Sequence, residues 1–253
     1  MERFLPPLAD PPPQCRACPL RGLGLFAPSE SSDLDEVQSI RAGTRRLKHG
    51  DILHAEGDPV RHAFTLFDGY ATRYRLLSSG QRQVLQFVLT GDLVFHLEGG
   101  PAQAWPDTIE VVGHAVLCAL SAPDLQRLFQ SKIRMAHQIS AIREAEKRLL
   151  EEHMMDMAQR SAFSGVGRLL LELFLREKER GRTRGDSSYF PFRQQDIADA
   201  LGLSSVHVSR VYAELRGSGL MEVSGRRLTI LNCEDALRRL DYEPSEHQPR
   251  PLL

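Results

Sequence analysis

Residues 194–215, QQDIADALGLSSVHVSRVYAEL, limit the possible folds of this chain more than any other stretch. Apolar residues recur at helical spacing over 194–201, which predicts a first helix there. Gly202 follows, and glycine tolerates the positive φ of a sharp turn. Ser204 can then cap a second helix, because its hydroxyl can accept a hydrogen bond from the first turn. Together these features are typical of a helix-turn-helix.

The second helix of this motif has an inward and an outward face. Val208, Val211 and Leu215 repeat at helical spacing and are expected to point toward the core. In a helix-turn-helix, the outward residues near the N-terminus of this helix enter a DNA major groove. The residues expected to lie there are Ser204, Ser205, Val206, His207, Ser209 and Arg210. An ordinary helical hairpin would show the same turn and cap, so the next stretch of chain has to separate the two interpretations.

A basic hairpin is predicted directly after the motif. Short apolar runs at 220–223 and 227–231 flank a tip that contains glycine, which is typical of two strands joined by a tight turn. Arg226 and Arg227 lie where such a wing would meet phosphate. A helix-turn-helix followed by a hairpin is a winged helix, and the combination favours DNA binding.

The composition sets the outer limits. With 253 residues, 42 % hydrophobic and 26 % charged, the chain can form two modest domains, each with its own core. It has no apolar run of about 20 residues and no signal peptide, so we expect a cytoplasmic protein without a membrane partner. Four cysteines in that compartment indicate metal or redox chemistry more often than structural disulfides. No nucleophile–base arrangement or phosphate loop is present, which argues against an enzyme.

The net charge of −1 is unevenly distributed along the chain. Residues 160–240 carry 14 basic and 10 acidic side chains, whereas residues 1–159 carry 17 and 20. A mildly basic C-terminal region suits a DNA-binding domain that relies on geometry and a few phosphate contacts.

Short strands are predicted in the first half of the chain. A short helix is expected over 33–42, and from residue 43 to about 120 strand-like pieces alternate with turns, one of them at Asp68-Gly69. This spacing suggests an antiparallel sandwich or barrel. Arg180–Gly185 is expected to be a flexible basic loop that follows a helix over 167–179.

Residues 123–160 change to a helical period. We expect one long helix whose apolar seam forms a dimer interface, with a helix that packs only on its own domain as the alternative. The seam consists of Met135, Ile139, Ile142, Leu149 and His153.

The order of these elements resembles the CRP/FNR family of bacterial transcription regulators. The most specific matches are Asp51–Asp58 (DILHAEGD), Phe87–Asp92 (FVLTGD) and the helix-turn-helix. The resemblance implies an α+β fold: an antiparallel β-roll like that of cyclic-nucleotide-binding domains, a dimerisation helix and a C-terminal winged helix. It also implies a homodimer on inverted repeats of double-stranded DNA, with RNA polymerase as a partner.

On this resemblance the chain divides into five segments. They are a cysteine-bearing segment at 1–30, a β-roll sensor domain at 31–122, a dimerisation helix at 123–160, a winged helix at 161–240 and a disordered tail at 241–253.

A cyclic-nucleotide effector does not fit the residues. In that branch of the family, a Gly-Glu-Leu turn is followed by an Arg-Ser pair that grips the cyclic phosphate. Here the turn survives as Gly91-Asp92-Leu93, but the second part reads Pro106-Asp107-Thr108. A carboxylate repels phosphate instead of forming a charge-assisted pair.

The cysteines resemble those of the FNR branch, which holds a [4Fe–4S] cluster. Cys15 and Cys18 match its N-terminal cysteine pair, and Cys118 matches the distant ligand. Gly24 stands where the third N-terminal cysteine is expected, so the fourth ligand is unidentified, and Cys233 lies beyond the wing. A cluster on Cys15, Cys18 and Cys118 is one interpretation. The others are a thiol switch between Cys15 and Cys18, zinc, a structural role, or a small-molecule effector in the β-roll without any cluster.

The operator contacts also depart from the family pattern. In the FNR branch the recognition helix presents an acidic residue, a serine and an arginine; here Val206 replaces the acid, and Ser209 and Arg210 remain. Arg210 can bond guanine bidentately, whereas Val206 cannot accept a hydrogen bond from cytosine. The usual half-site of the family is therefore not expected, although the spacing of half-sites, about 10 bp, follows from a two-fold dimer.

Overall fold

The structure is a computed structural model that describes residues 14–23, 26, 31–96 and 104–244. Gly24 and residues 245–253 of the expected tail lie outside the described residues. The chain divides into two compact units. The N-terminal unit contains the described residues of Pro7–Arg75 and Phe87–Ala145, and the C-terminal unit contains Leu76–Gln86 and residues from Glu146 onward. The expected division into five segments stays a prediction.

Six strands form one antiparallel sheet, most of which lies in the N-terminal unit. They are β1 (Arg41–Lys48), β2 (Ile52–His54), β3 (His62–Leu76), β4 (Arg82–Leu89), β5 (Leu93–Val94) and β6 (Thr108–Ser121). The order is β1–β6–β3–β4, with β2 paired to β6 and β5 paired to β3. The long strands β3 and β6 each bend at register shifts, and β6 pairs with three others, as in a roll. The α+β fold with an antiparallel sheet is confirmed.

The core of this sheet is apolar. Phe64, Leu66, Val88, Ile109 and Leu117 are among the buried side chains of its largest cluster. Burial of this kind is the main driving force for the fold of the unit.

The predicted turn at Asp68-Gly69 is wrong, because β3 runs through these residues. The pairing of β3 with β6 shifts on both sides of Gly69, which adopts φ +112°. A Cβ atom at this position would lie 2.0 Å from the carbonyl oxygen of His114. Glycine is therefore needed for a close approach of two strands within a β-bulge, and the residue pair marks a bend instead of a reversal.

The helix predicted over 33–42 is shorter than expected. α1 spans Ser31–Ser39, and the chain enters β1 at Arg41, two residues before the strand-like region was expected to begin. β1 pairs along its whole length with β6. This long-range pairing outweighs the local helical preference.

Two helices replace the single long helix predicted over 123–160. α2 spans Ala122–Ser131 and α3 spans Ile133–Ala158. Between them Lys132 is extended, with φ −123° and ψ 93°, and its ammonium group lies 2.8 Å from Glu36. The break therefore coincides with an ion pair to α1.

The burial of α3 corrects the predicted dimer seam. Met135, Ile139 and Ile142 are at most 8 % exposed and pack in a core with residues of the sheet and α2. His153 is bonded to Glu172, with 2.7 Å between Nε2 and Oε2. These four side chains pack within their own chain, which argues against them as the dimer seam; for half-buried Leu149 the interface stays a prediction.

The C-terminal unit is built on a helix followed by a winged motif. Its elements are α4 (Ala162–Glu179), β7 (Thr183–Arg184), β8 (Ser187–Tyr189), α5 (Gln194–Leu201), α6 (Ser205–Gly217), β9 (Met221–Ser224), β10 (Arg227–Ile230) and α7 (Cys233–Arg239). Its sheet has the order β7–β8–β10–β9. The wing strands are confirmed, and the sheet is wider than predicted.

The expected flexible loop at Arg180–Gly185 is instead part of this sheet. β7 lies within it and pairs with β8. Arg180 is 1 % exposed and donates from Nη1 to the carbonyl oxygen of Arg176 at 2.7 Å. Arg180 is thus buried and bonded to the end of α4, although the polar and glycine residues around it suggested a flexible loop. Among the described residues, no helix has the length and apolar character needed to cross a membrane.

Candidate nucleic-acid interface and sulfur site

The turn of the helix-turn-helix has the predicted geometry. α5 ends at Leu201, and Gly202 follows with φ +65° and ψ 29°. Ser204 caps α6, because its Oγ accepts a hydrogen bond from the backbone N–H of His207 at 3.2 Å. At the start of α5, the backbone N–H of Arg193 donates to Oδ2 of Asp196 at 2.8 Å. The predicted first helix and the serine cap are confirmed.

The two faces of α6 separate as expected. Val208, Val211 and Leu215 are at most 2 % exposed and pack inward. On the outer face, Val206, His207, Ser209 and Arg210 are exposed, and Ser205 is half-buried. The structure therefore brings the predicted DNA-contacting residues of α6 together on one open face beside the N-terminus of the helix, where an anion is favoured.

The tip of the wing presents two arginines. Arg226 and Arg227 are exposed at the turn between β9 and β10. Arg226 donates from Nη1 to the hydroxyl oxygen of Tyr189 at 3.1 Å. Tyr189 lies on β8, directly opposite Arg227 in the strand register. Sequence reasoning missed this tyrosine, because β8, the strand that carries it, was not predicted.

Three of the four cysteines gather at one end of the N-terminal unit. Cys15 lies in a 3₁₀ turn, Cys15–Ala17, whose first backbone N–H donates to Oε1 of Gln38 at 2.7 Å. A second 3₁₀ turn follows Cys18. Cys18 and Cys118 pack against the same buried cluster, which contains Phe67.

Cys118 lies in the last part of β6, three residues before its end at Ser121. In the sheet register it stands between Thr44 of β1 and Thr65 of β3. Arg41 reaches this row from the start of β1 and donates from Nη2 to Oγ1 of Thr44 at 3.2 Å. The guanidinium of Arg41 is therefore bonded to the residue of β1 that lies directly opposite Cys118.

The environment of the thiols favours their neutral form. Burial raises the pKa of Cys118 to about 11, the charge of Arg41 acts in the opposite direction, and the charges of Cys18 and Cys15 raise it further. Burial likewise raises the pKa of Cys15 and Cys18, and Arg41 opposes the shift at both. The three sulfurs are thus close enough to share one electrostatic environment.

The donor set suits an iron–sulfur cluster in type but is one sulfur short. Soft thiolates hold such clusters, usually four of them. In the part of the chain that the structure describes, no three His, Cys, Asp or Glu side chains lie close enough together to hold a single metal ion. A cluster places its thiolates on different irons, so its sulfurs need not converge on one point. Cys233 lies in the other unit, and His114 is bonded to Asp68 at 3.0 Å.

The interior of the roll holds a second polar group of side chains, which the sequence did not reveal. The ring of His54 stacks on Trp105, with centroids 3.6 Å apart. Asp107, the residue at the phosphate-cassette position, lies 3.6 Å from Nε2 of His54 and 3.7 Å from Nε of Arg73. The side chains of His54 and Asp107 are 4 % and 8 % exposed. The carboxylate of Asp107 therefore faces basic side chains of its own chain.

Two family models match the chain in tandem. The cyclic nucleotide-binding domain matches residues 44–132, and the Crp-like helix-turn-helix domain matches residues 166–240. The transcriptional activator FnrA of Stutzerimonas stutzeri is 26 % identical over 218 residues, which cover 86 % of this chain and 88 % of FnrA. The transcriptional activator anr of Pseudomonas aeruginosa is 25 % identical over 224 residues, which cover 88 % of this chain and 91 % of anr. The chain belongs to the CRP/FNR family of bacterial transcription regulators.

A solved structure agrees with this assignment. FixK2 from Bradyrhizobium japonicum matches 80 % of the chain and 98 % of its own length, with a TM-score of 0.67 and 25 % identity. The match to the Crp-like helix-turn-helix domain includes both α6 and the wing. The chain is therefore a DNA-binding transcriptional regulator.

Proposed function

We propose that this CRP/FNR regulator responds to oxygen or redox state through an iron–sulfur cluster held by Cys15, Cys18 and Cys118. The observation that carries the proposal is that Cys118, distant in sequence, packs on the same buried cluster as Cys18, and that Arg41 acts on the pKa of Cys15, Cys18 and Cys118 alike. A cluster, when bound, supplies redox chemistry that protein side chains lack. Relatives named FnrA and anr share this domain order.

The side chains around the thiols support the proposal. Gln38 fixes the 3₁₀ turn of Cys15, and the ion pair between Arg16 and Asp35, at 2.6 Å, joins the same turn to α1. Cys118 lies three residues before Ser121, where β6 passes into α2. Joining the N-terminal turn to Cys118 would therefore tie it to the strand that leads into the helices.

The thiol switch is the weaker alternative. Redox-sensor cysteines are accessible and have lowered pKa values. Here burial raises the pKa of Cys15 and Cys18. Soft metal binding displaces the thiol proton at a site of this kind, whereas spontaneous oxidation is slowed.

The test is the visible spectrum of protein purified without oxygen, with iron and sulfide assayed on the same sample. We expect a broad band that bleaches in air and about four irons per chain. Cys118→Ala should lose the iron and any oxygen response, whereas Cys233→Ala, the matched control in the other unit, should keep both. An iron-free wild-type chain, or a Cys118→Ala variant with full iron content, would sink the cluster.

We also propose a homodimer, formed by a different face of α3 from the one predicted. Leu150, Met154 and Met157 are 39 %, 60 % and 43 % exposed, and their spacing of four and three residues places them on one side of the helix. A second copy would cover this apolar stripe. Met154→Glu should give a monomer in sedimentation experiments, whereas Glu151→Gln on the same helix should not. A monomeric wild-type chain would contradict the dimer.

Operator reading is assigned to the exposed face of α6. Arg210 is the side chain that can discriminate guanine, so Arg210→Ala should lose on the order of 1–3 kcal/mol of operator binding. The measurement is the affinity for an inverted-repeat duplex, selected by the wild-type chain, against a scrambled duplex. An unchanged ratio would remove Arg210 from base reading. RNA polymerase stays a predicted partner.

A second candidate function is a small-molecule response in the roll. It is favoured by the buried atoms His54 Nδ1, His54 Nε2, Asp107 Oδ1 and Arg73 Nε, none of which makes a hydrogen bond within the described residues. A polar ligand could satisfy them. Calorimetry with nucleotides and organic acids on iron-free protein would distinguish it from the cluster, because only this alternative predicts heat that Asp107→Ala abolishes.

A further inference from the structure

The tip of the hairpin between β3 and β4 belongs to the same compact unit as the helix-turn-helix. Arg82 in this tip donates from Nε to Oδ2 of Asp199 at 2.7 Å and from Nη2 to Oδ1 of Asp196. Both carboxylates lie on α5, one helical turn apart. A single guanidinium therefore bridges two acids of the first helix of the motif, which its planar fork of donors allows.

This contact is largely shielded from water. The side chains of Arg82, Asp196 and Asp199 are 20 %, 8 % and 13 % exposed. Charges in such surroundings interact more strongly than an exposed surface pair. The contact is therefore strong enough to influence the position of α5.

A neighbouring residue extends the contact to the other end of α5. Gln83 donates from Nε2 to the carbonyl oxygen of Ala200 at 3.1 Å. Ala200 lies in the last turn of α5, where carbonyl groups have no partner within the helix. The hairpin thus holds α5 through its first turn and its last turn.

Asp196 links this contact to the rest of the motif. Its Oδ2 caps the start of α5 by accepting the backbone N–H of Arg193. On α6, burial and then the charge of Asp196 raise the pKa of the Tyr212 hydroxyl. Asp196 therefore lies beside both helices of the DNA-binding motif.

We propose that Arg82 is a positioning residue for DNA binding, which fixes α5 and offsets the charge of Asp196 and Asp199. In a helix-turn-helix the first helix crosses the DNA backbone, where two uncompensated carboxylates would repel phosphate. With Arg82 present, the local charge of the three groups is −1 instead of −2. The DNA-contacting residues of α6 stay exposed with the contact in place, so the hairpin supports binding without covering the interface.

The proposal rests on DNA binding and not on the cluster, and its test uses the full-length chain. The probe is a duplex with an inverted repeat, selected by the wild-type chain from a randomised pool. Arg82→Ala should bind it on the order of tenfold more weakly, and Arg82→Lys should lie between the two, because a point charge keeps only part of the bridge. Arg75→Ala is the matched control; Arg75 lies near the end of β3 in the same hairpin, but its Nε donates to the carbonyl oxygen of Pro106. Wild-type affinity in Arg82→Ala would overturn the proposal.

A double-mutant cycle separates positioning from a general loss of folding. Asp199→Asn removes one of the two charges that Arg82 offsets, so adding it to Arg82→Ala should recover several-fold of the lost affinity. Equal losses in both backgrounds would contradict the proposal, because they show no coupling between the two residues.

Hydrogen exchange gives a readout that needs no DNA. The amides of α5 should exchange faster in Arg82→Ala and at the wild-type rate in Arg75→Ala, with α4 unchanged in both. Unchanged exchange in α5 would contradict the role of Arg82. Failure of the wild-type chain to select any duplex would contradict DNA binding itself, so the two failures are distinguishable.

Discussion

The two units of this regulator bury different kinds of side chain. In the N-terminal unit the interior is aliphatic and aromatic, and its buried ionisable groups are a histidine and three aspartates: His54, Asp68, Asp92 and Asp107. In the C-terminal unit, α4 alone buries two arginines and two glutamates, and a further arginine and an aspartate adjoin it. They are Arg168, Glu172, Arg176, Glu177, Arg180 and Asp156. The β-roll is thus stabilised mainly by the close packing of apolar side chains. The DNA-binding unit depends in addition on ion pairs between its buried charged side chains.

This difference teaches where each unit is fragile. A close-packed sheet tolerates changes of charge at its surface but not an added atom where two strands approach closely. A buried network of ion pairs tolerates changes of volume better than the loss of one partner, because the remaining charge is left without compensation. Three substitutions test this contrast, from the largest expected effect to the smallest.

Gly69→Ala should be the most damaging change in the roll. The new Cβ would lie 2.0 Å from the carbonyl oxygen of His114, and φ +112° is unfavourable for alanine. We expect a loss of about 4 kcal/mol in the free energy of unfolding. Denaturation followed by the fluorescence of Trp105, the single tryptophan, reports on this unit. Gly113→Ala is the control, since Gly113 has φ +87° in open space and should cost about 1 kcal/mol; equal losses would show that strain, and not close approach, controls the site.

Arg168→Met should be the most damaging loss of charge in the C-terminal unit. Arg168 is 5 % exposed, and its Nε lies 2.9 Å from Oδ1 of Asp156, whose side chain is 3 % exposed. Methionine keeps most of the volume but removes the buried partner of Asp156, which is then left with the partly exposed Arg160 at 2.8 Å, so we expect a loss of about 3 kcal/mol. Circular dichroism of the helices measures it. Arg127→Met, which breaks an exposed pair with Asp124, should leave the midpoint unchanged; a neutral Arg168→Met would mean that the network is dispensable.

The pair of His153 and Glu172 should make stability depend on pH. Burial opposes the charged form of His153, but the charge and hydrogen bond of Glu172 outweigh it and raise the pKa of His153. Burial likewise opposes ionisation of Glu172, yet the charge and hydrogen bond of His153 keep its pKa lowered. A raised histidine pKa contributes stability below the unfolded value of 6.5 that disappears as pH rises through the folded value. A lowered glutamate pKa contributes stability above 4.5 that disappears as pH falls through the folded value.

The pair therefore stabilises the protein most between these two values. Above pH 6.5 the wild-type chain should lose on the order of 1 kcal/mol as His153 gives up its proton. His153→Gln should lose this decline, whereas His137→Gln, at an exposed position of the same helix, should keep it. Urea titrations from pH 5 to pH 9 measure the difference. A decline that persists in His153→Gln would assign it to another group.

The elements that could be predicted from the sequence are those whose determinants are local. The turn at Gly202, the cap at Ser204 and the spacing of Val208, Val211 and Leu215 lie within 22 residues, and all were found where expected. Their contacts are set by helical periodicity and backbone preference, which a single segment contains.

The elements that were missed depend on partners far away in the chain. β1 starts as early as Arg41 because β6 lies beside it, and Gly69 marks a bulge only because the backbone of His114 approaches it closely. The same holds for the sites: Arg82 meets Asp199 across 117 positions, and Tyr189 meets Arg226 across 37. The three cysteines could be matched to a family pattern, but the shared influence of Arg41 on their pKa values could not be predicted, because periodicity carries no information about pairings of this range.

The two cysteine-bearing segments differ in how firmly they are held: Cys118 lies in a strand paired on both sides, whereas Cys15 lies in a turn near the surface of the unit. The strand of Cys118 is hydrogen-bonded on both sides, through the rows of Thr44 and Thr65, so the sulfur cannot be displaced without breaking two ladders at once. The turn that carries Cys15 is joined to the unit by far fewer bonds, chiefly those to Gln38 and Asp35. If the proposed cluster joins Cys118 to the N-terminal turn, its loss or gain would shift that turn, while the strand of Cys118 stays in place between its two neighbours.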